Sequence, residues 1–147
     1  MATPLRIFLD ANILFSAAKS SGAVRQLLHD LHAEGHVLAA DAYVAAEAQR
    51  NIATKSTDEA MHYLQALLSR IDVSAVQCES GTRSAADWLP EKDRPVLLAA
   101  IASHCDVLVT GDRTHFGLGY GRTFEGVKVV SPAQLALALW GERQSTP

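Results

Sequence analysis

The sequence predicts an α/β fold in which helices cover both faces of a mainly parallel sheet. Short runs of β-branched and other apolar residues alternate along the chain with longer segments whose apolar residues recur at helical spacing. This alternation is typical of βαβ units, whose crossover helices place the strands in parallel. The carboxyl ends of these strands then share one edge of the sheet, which is where open α/β sheets bind their ligands.

The predicted strands are short and apolar. Residues 5–9 are almost continuously apolar, which is typical of a strand buried on both faces of a parallel sheet. In the segment 71–78, the alternation at Val73 and Val76 is instead typical of a strand with one exposed face. Together the apolar runs predict five strands, at 5–9, 36–40, 71–78, 106–110 and 127–130.

The segments between the strands predict helices. Asp41 and Thr57 favour the N-cap position, so we expect one helix from Asp41 to about Lys55 and another after Thr57. Pro132 marks the start of the closing helix, 132–140, because proline fits the first helical turn. The other predicted helices are 11–18, 23–33, 80–88 and 93–104, with loops at 89–92 and 117–122.

Length and composition indicate one globular domain, residues 1–140, followed by a flexible tail, 141–147. A chain of 147 residues can bury enough apolar surface to form a core without staples. Its net charge of −3 argues against a general nucleic-acid-binding protein held by overall positive charge. The two cysteines, Cys78 and Cys105, and the lack of a signal-like or membrane-spanning run predict a cytoplasmic protein with reduced thiols.

Four acidic residues lie beside apolar elements. Asp10 and Asp112 each follow an apolar strand, Glu47 interrupts the apolar face of a helix, and Asp93 stands at the start of an apolar helix. Carboxylates near buried elements are costly unless a positive charge lies between them. These residue types and positions predict a divalent metal site that activates water to cleave phosphodiester bonds.

Each acid also has a purely structural interpretation. Asp10, Asp93 and Asp112 each stand where a helix begins, so that each could act as its N-cap. Glu47 has Arg50 three residues later and could form a surface ion pair with it. The residues alone leave both interpretations open, and only convergence of the side chains separates them.

Polar and basic neighbours of these acids are candidates for supporting roles. Asn12, Thr110 and His115 lie within three residues of an acid and could orient a metal ligand or the scissile phosphate. The basic neighbours are Lys92, Arg94 and Arg113. We expect them to contact RNA phosphates, and the alternative is that they are solvated surface charges.

Four motifs together resemble those of the PIN-domain ribonucleases, from residue 5 to about residue 131. They are LDANIL at 9–14, YVAAE at 43–47, DRPVLLAA at 93–100, and CDVLVTGD at 105–112 followed by His115 and Phe116. Each motif alone is weak, whereas their order and spacing make the combination specific.

The resemblance implies a Rossmann-like three-layer α/β/α sandwich with a five-stranded, mainly parallel sheet. It implies that Asp10, Glu47, Asp93 and Asp112 are catalytic and metal-binding, with Mg²⁺ or Mn²⁺ as the cofactor and RNA as the substrate. Small single-domain members resemble VapC-like toxins of type II toxin–antitoxin pairs, which implies a homodimer and a cognate antitoxin as partners. Many members carry a further acid where this chain has His115, so the number of ions, one or two, stays open.

Two other functions also remain open. A catalytically silent PIN-like module would bind RNA or a protein without cutting, although such a module has no need of four converging acids. A phosphotransferase that forms an aspartyl phosphate requires a second aspartate two residues after the nucleophile, where Asn12 stands.

The expected homodimer requires an apolar contact surface. Two helical stripes are candidates, one formed by Val24, Leu27, Leu28 and Leu31 and the other by Leu64 and Leu67. The alternative is that both stripes are buried in the core of a single chain.

Overall fold

The computed structural model describes residues 3–75 and 83–141. Its strands are β1 (Arg6–Leu9), β2 (Val37–Asp41), β3 (Asp72–Ser74), β4 (Val107–Val109), β5 (Thr123–Phe124) and β6 (Val127–Val130). Its α-helices are α1 (Ala11–Lys19), α2 (Ala23–Ala33), α3 (Ala42–Lys55), α4 (Asp58–Leu68), α5 (Arg94–Ala102), α6 (Arg113–Phe116) and α7 (Pro132–Trp140). Short 3₁₀ helices cover Arg83–Ala86, Glu91–Asp93 and Gly117–Gly119.

The described strands form one sheet in the order β3-β2-β1-β4-β6-β5, and β5 alone among them is antiparallel to its neighbour. β1 and β4 are adjacent at the centre of the sheet, where Leu9 pairs with Val109. The backbone N–H of Asp10 then donates to the carbonyl of Val109 at 3.1 Å. Because β1 and β4 end together, the residues that follow them lie side by side.

The predicted α/β fold with a mainly parallel sheet is confirmed. All five predicted strands are present, and β5 is a sixth that the sequence did not predict. β5 is two residues long and joins β6 through Glu125 and Gly126, whose φ angles are 50° and 88°. Two consecutive residues with positive φ suit a tight hairpin. A strand this short has no periodicity from which it could be predicted.

The region between β3 and α5 differs from the prediction. The strand predicted at 71–78 is shorter, because β3 ends at Ser74 and residues 76–78 lie outside the described part of the chain. The helix predicted at 80–88 consists, in its described part, of the 3₁₀ helix Arg83–Ala86 followed by turns.

Short helices replace two predicted loops. The 3₁₀ helix Glu91–Asp93 falls in and just after the loop predicted at 89–92, and another falls in the loop predicted at 117–122. α6 was not predicted either, since four residues are too few for an amphipathic pattern. Cys78 and the predicted tail beyond residue 141 lie outside the described residues, whereas Cys105 is a buried free thiol.

The apolar faces of α2 and α4 are buried within the single chain. Val24 is half-buried. The leucines of both stripes are buried, each with at most 7% of its surface exposed: Leu27, Leu28, Leu31, Leu64 and Leu67. The prediction that these leucines form a dimer contact is therefore wrong, because they contribute to the core instead. None of the helices in the described ranges is both long enough and apolar enough to cross a membrane.

An aromatic cluster fixes the segment after β4. The indole of Trp88 stacks on Phe124, with ring centroids 4.9 Å apart, and meets the edge of Phe116 at 6.2 Å. Gly119 lies against the same indole, so that an added Cβ would clash with three ring atoms, Cη2 most closely and Cζ2 and Cζ3 at 2.8 and 2.9 Å. Packing of this density holds α6, and the residues just before it, in a defined position.

The contact at Gly119 predicts a large effect from a single methyl group. Gly119→Ala should lower the free energy of unfolding by about 1–3 kcal/mol, because the indole is packed on two sides and cannot move away. Gly117→Ala is the matched control, since it lies in the same 3₁₀ helix and its added Cβ would meet nothing within 4 Å. Urea denaturation of both variants measures the difference, and equal stabilities would contradict the packing described here.

Candidate active site

The four acids singled out by the sequence reach one cavity from different elements. Asp10 follows β1, Glu47 lies on α3, Asp93 directly precedes α5 and Asp112 directly precedes α6. All four line a cavity of about 270 Å³ at the carboxyl ends of β1 and β4. The four acids therefore share one cavity, but among the described residues the ligand atoms within 4.8 Å of one another belong to Asp93, Asp112 and His115, and those of Asp10 and Glu47 are not among them.

Asp10 is the most buried of the four, with 6% of its surface exposed, and both of its oxygens accept hydrogen bonds. Oδ1 accepts from the backbone N–H of Ala11 at 2.7 Å, at the start of α1. Oδ2 accepts from the hydroxyl of Thr110 at 2.8 Å and from the side-chain amide of Asn12 at 3.2 Å. The N-cap interpretation of Asp10 is thus correct but accounts for one oxygen only.

Thr110 and Asn12 connect the end of β1 to the segment that carries Asp112. The side-chain oxygen of Asn12 accepts from the backbone N–H of Gly111 at 2.8 Å. The hydroxyl oxygen of Thr110 accepts from the backbone N–H of Asp112 at 3.2 Å, and the carbonyl of Thr110 accepts from the hydroxyl of Tyr120 at 2.7 Å. These bonds fix the position of the segment after β4 relative to the segment after β1.

Burial raises the pKa of Asp10 to about 6. The hydrogen bonds from Thr110 and Ala11 lower this pKa, whereas the negative charges of Glu47 and Asp93 raise it further. The dominant cause is the loss of hydration of the charged form. At neutral pH the ionised carboxylate is therefore held at a free-energy cost that a nearby cation would offset.

His115 lies between two of the acids. Its Nδ1 is 2.9 Å from Oδ2 of Asp112 and 3.0 Å from Oδ2 of Asp93. Oδ1 of Asp112 accepts from the backbone N–H of His115 at 3.1 Å and so caps α6. Asp93 occupies the N-cap position of α5 but its side chain makes no capping hydrogen bond, so the structural interpretation of Asp93 is not observed.

The donor atoms at this end of the cavity fit a divalent ion. One oxygen from each of Asp93 and Asp112 and one nitrogen of His115 all lie within 4.8 Å of one another. Asp93 Oδ2 and His115 Nδ1 are shielded from solvent and have no hydrogen-bond partner. The two atoms lie at ion-pair distance from each other, 3.0 Å, without a directed hydrogen bond, and a bound cation would give both of them a further partner.

Two residues of α3 that line the cavity were missed by the sequence analysis. Asn51 and Lys55 lie four and eight residues after Glu47, and this spacing places all three on one helical face. The spacing was therefore a usable signal. Lys92, which was predicted, also lines the cavity. Among the described residues Glu47 forms no ion pair with Arg50, so its alternative interpretation is not observed.

The two arginines predicted to contact RNA do not line the cavity. Nε of Arg94 donates to the carbonyl of Leu89 at 2.9 Å, and Nη2 donates to the carbonyl of Asp87 at 3.4 Å. Arg113 is exposed in the first turn of α6. A phosphate contact from either arginine stays a prediction.

Comparison with known proteins identifies a family and a shared fold. The family model of the PIN domain matches residues 6–114. VapBC2 from Rickettsia felis, bound to a DNA fragment from the promoter, is similar with a TM-score of 0.63 and 18% identity, covering 86% of this chain and 98% of that chain. VapC20 from Mycobacterium tuberculosis, a sarcin-ricin-loop-cleaving toxin, is similar with a TM-score of 0.57 and 13% identity, covering 80% and 98%. No curated protein sequence matches the chain.

The raised pKa of Asp10 predicts a pH dependence of stability in the metal-free protein. The usual pKa of the side chain is 3.8 and that of folded Asp10 is about 6, so the folded state binds more protons between these values. The contribution of Asp10 to the free energy of unfolding is therefore largest below about pH 4 and falls by roughly 3 kcal/mol as the pH rises through the folded pKa.

Urea denaturation in EDTA, from about pH 4 to about pH 8, tests this dependence. Asp10→Asn is the reference, because it keeps the size of the side chain and has no group that titrates there. The stability of the wild type minus that of the variant should fall between about pH 4 and pH 6 and then level off. An identical pH dependence in both proteins would show that Asp10 ionises normally.

Proposed function

The chain belongs to the PIN-domain family, and we propose that it is a divalent-metal-dependent endoribonuclease. The convergence of Asp10, Glu47, Asp93 and Asp112 on one cavity is the observation that carries this proposal. Carboxylates gathered in this way repel one another, so the arrangement is favourable only with a cation between them. The motifs resemble those of ribonucleases, which supports RNA as the substrate.

We assign the four acids to the metal. Asp10 and Asp112 would hold the ion directly, while Glu47 and Asp93 would complete its ligands or orient a water molecule. A bound Mg²⁺ or Mn²⁺ supplies a Lewis acid that lowers the pKa of water and stabilises charge on the leaving oxygen. Thr110 holds the carboxylate of Asp10 in one orientation through the hydrogen bond described above, at the edge of the cavity that Asp10 lines.

Lysine side chains provide the positive charge for RNA. Lys55 and Lys92 both line the cavity, and they come from different elements. Lys55 lies on α3, and Lys92 is next to Asp93 in the 3₁₀ helix Glu91–Asp93. An ammonium group there can contact backbone phosphates on either side of the scissile bond. The protein therefore holds RNA by a local contact, in spite of its net charge of −3.

We further propose that the chain is the toxin of a toxin–antitoxin pair. The similar structures include a toxin that cleaves the sarcin-ricin loop and a VapBC2 assembly bound to promoter DNA. The fold that this chain shares with them supports a structured or single-stranded RNA target and a cognate antitoxin. A homodimer and a cytoplasmic location belong to the same proposal.

Asp112→Asn tests the catalytic role directly. The variant should fold, because asparagine can still cap α6 and the change relieves repulsion among the acids. Cleavage of single-stranded RNA that depends on Mg²⁺ or Mn²⁺ should fall by at least about two orders of magnitude, since the charge that holds the ion is lost. Binding of the same RNA, measured in EDTA by fluorescence anisotropy, should change much less because the lysines are intact.

Asp58→Asn is the matched control, because Asp58 is exposed on α4 and lies outside the cavity. It should cleave at the wild-type rate. If Asp112→Asn cleaves as fast as this control, or if EDTA leaves wild-type cleavage intact, the metal-nuclease proposal fails. A wild-type protein that binds RNA and never cuts it would favour the catalytically silent module instead.

A further inference from the structure

The contacts of His115 with two acids are not explained by hydrogen bonding. Nδ1 is at ion-pair distance from two carboxylate oxygens, 2.9 Å from Asp112 Oδ2 and 3.0 Å from Asp93 Oδ2, but it makes a directed hydrogen bond to neither. A ring nitrogen carries at most one hydrogen, which can point well at one acceptor only. The nitrogen therefore touches both oxygens without the direction that a hydrogen bond requires.

The same distances suit three ligands of one ion. In an octahedral site with bonds of about 2.0–2.1 Å, neighbouring ligand atoms are roughly 3 Å apart. The two distances from Nδ1 agree with that spacing. The atoms come from the start of α5 and from α6, so that two separate elements place them together rather than one flexible segment.

The scaffold holds His115 in this position. The backbone N–H of His115 donates to Asp112 Oδ1, which fixes the imidazole beside the carboxylate that caps its own helix. The next residue, Phe116, is fully buried and meets the edge of Trp88. The side chain of His115 is 30% exposed, which leaves the outer part of the ring open to solvent while Nδ1 is shielded.

We propose that Nδ1 of His115 is a direct ligand of a divalent ion, together with Asp93 and Asp112. This inference rests on the proposed function, which assigns a divalent ion to the cavity. The site is then a mixed nitrogen and oxygen site, rather than the all-carboxylate site that a further acid at this position would make. Imidazole nitrogen favours first-row transition ions over Mg²⁺, which prefers oxygen ligands.

Electron spin-echo spectroscopy of Mn²⁺ bound to the full chain, without RNA, tests this directly. The wild type should show ¹⁴N modulation from a coordinated imidazole, and replacing its histidines with ¹⁵N-labelled histidine should abolish that modulation. Labelling requires no substitution, so the test does not depend on whether a variant folds. His115→Asp should still bind Mn²⁺ but without the ¹⁴N signal, and its preference for Mn²⁺ over Mg²⁺ in competition should fall.

His62→Asp is the matched control, because His62 is exposed on α4 and lies outside the cavity, and it should keep the wild-type signal. Mn²⁺ bound by the wild type without ¹⁴N modulation would overturn the role of His115 and leave the metal-nuclease proposal standing. A ¹⁴N signal that persists in His115→Asp would overturn it as well, since another nitrogen would then be the ligand. Failure of the wild type to bind Mn²⁺ at all would overturn both proposals.

Discussion

The buried carboxylate of Asp10 is the constraint on which the rest of the site depends. It follows the central strand β1, where the loss of most of its hydration raises its pKa to about 6. Three hydrogen-bond donors of the protein partly replace the lost hydration of the carboxylate. They are the N–H of Ala11, the hydroxyl of Thr110 and the side-chain amide of Asn12. These donors lower the pKa only in part, so the ionised carboxylate keeps a free-energy cost that a nearby cation would offset.

The sheet topology brings the other residues of the cavity next to Asp10. Because β4 pairs with β1, Thr110 and the segment after it are placed beside Asp10 although they are 100 residues away in sequence. The aromatic contacts of Trp88 then keep α6 against the sheet, and α6 presents Asp112 and His115. The free energy gained by packing the core thus outweighs the repulsion among the clustered acids. Functional sites are often built in this way, at some cost to the stability of the fold.

How far the sequence predicts this structure depends on the kind of signal each residue carries. Asp10 and Asp112 were predictable because each ends a buried run, and parallel strands bring such ends to one edge. Asp93 was predictable as a helix start, but its lack of a capping bond is a property of three-dimensional placement. Lys55 is eight residues from Glu47 in sequence but shares its helical face, so its place in the cavity was predictable from helical spacing and not from the immediate neighbours of the acid.

Other features had no usable signal. Arg94 adjoins Asp93 in sequence, yet its guanidinium donates to backbone carbonyls of the preceding turn. Whether an arginine beside an acid contacts phosphate or backbone carbonyls depends on tertiary contacts that the sequence does not reveal. The stripes of α2 and α4 look the same whether they face a core or a second chain, since both surroundings are apolar. β5 is too short to have a pattern and exists because two residues with positive φ turn the chain back onto β6.

A crystal structure of the protein with Mn²⁺, using the anomalous signal of the metal, tests the central claim most directly. We expect anomalous density in the cavity, with a carboxylate oxygen of Asp10 and one of Asp112 at roughly 2.0–2.3 Å from the ion. An ordered cavity that contains no anomalous density at saturating Mn²⁺, or density confined to other surfaces, would contradict it.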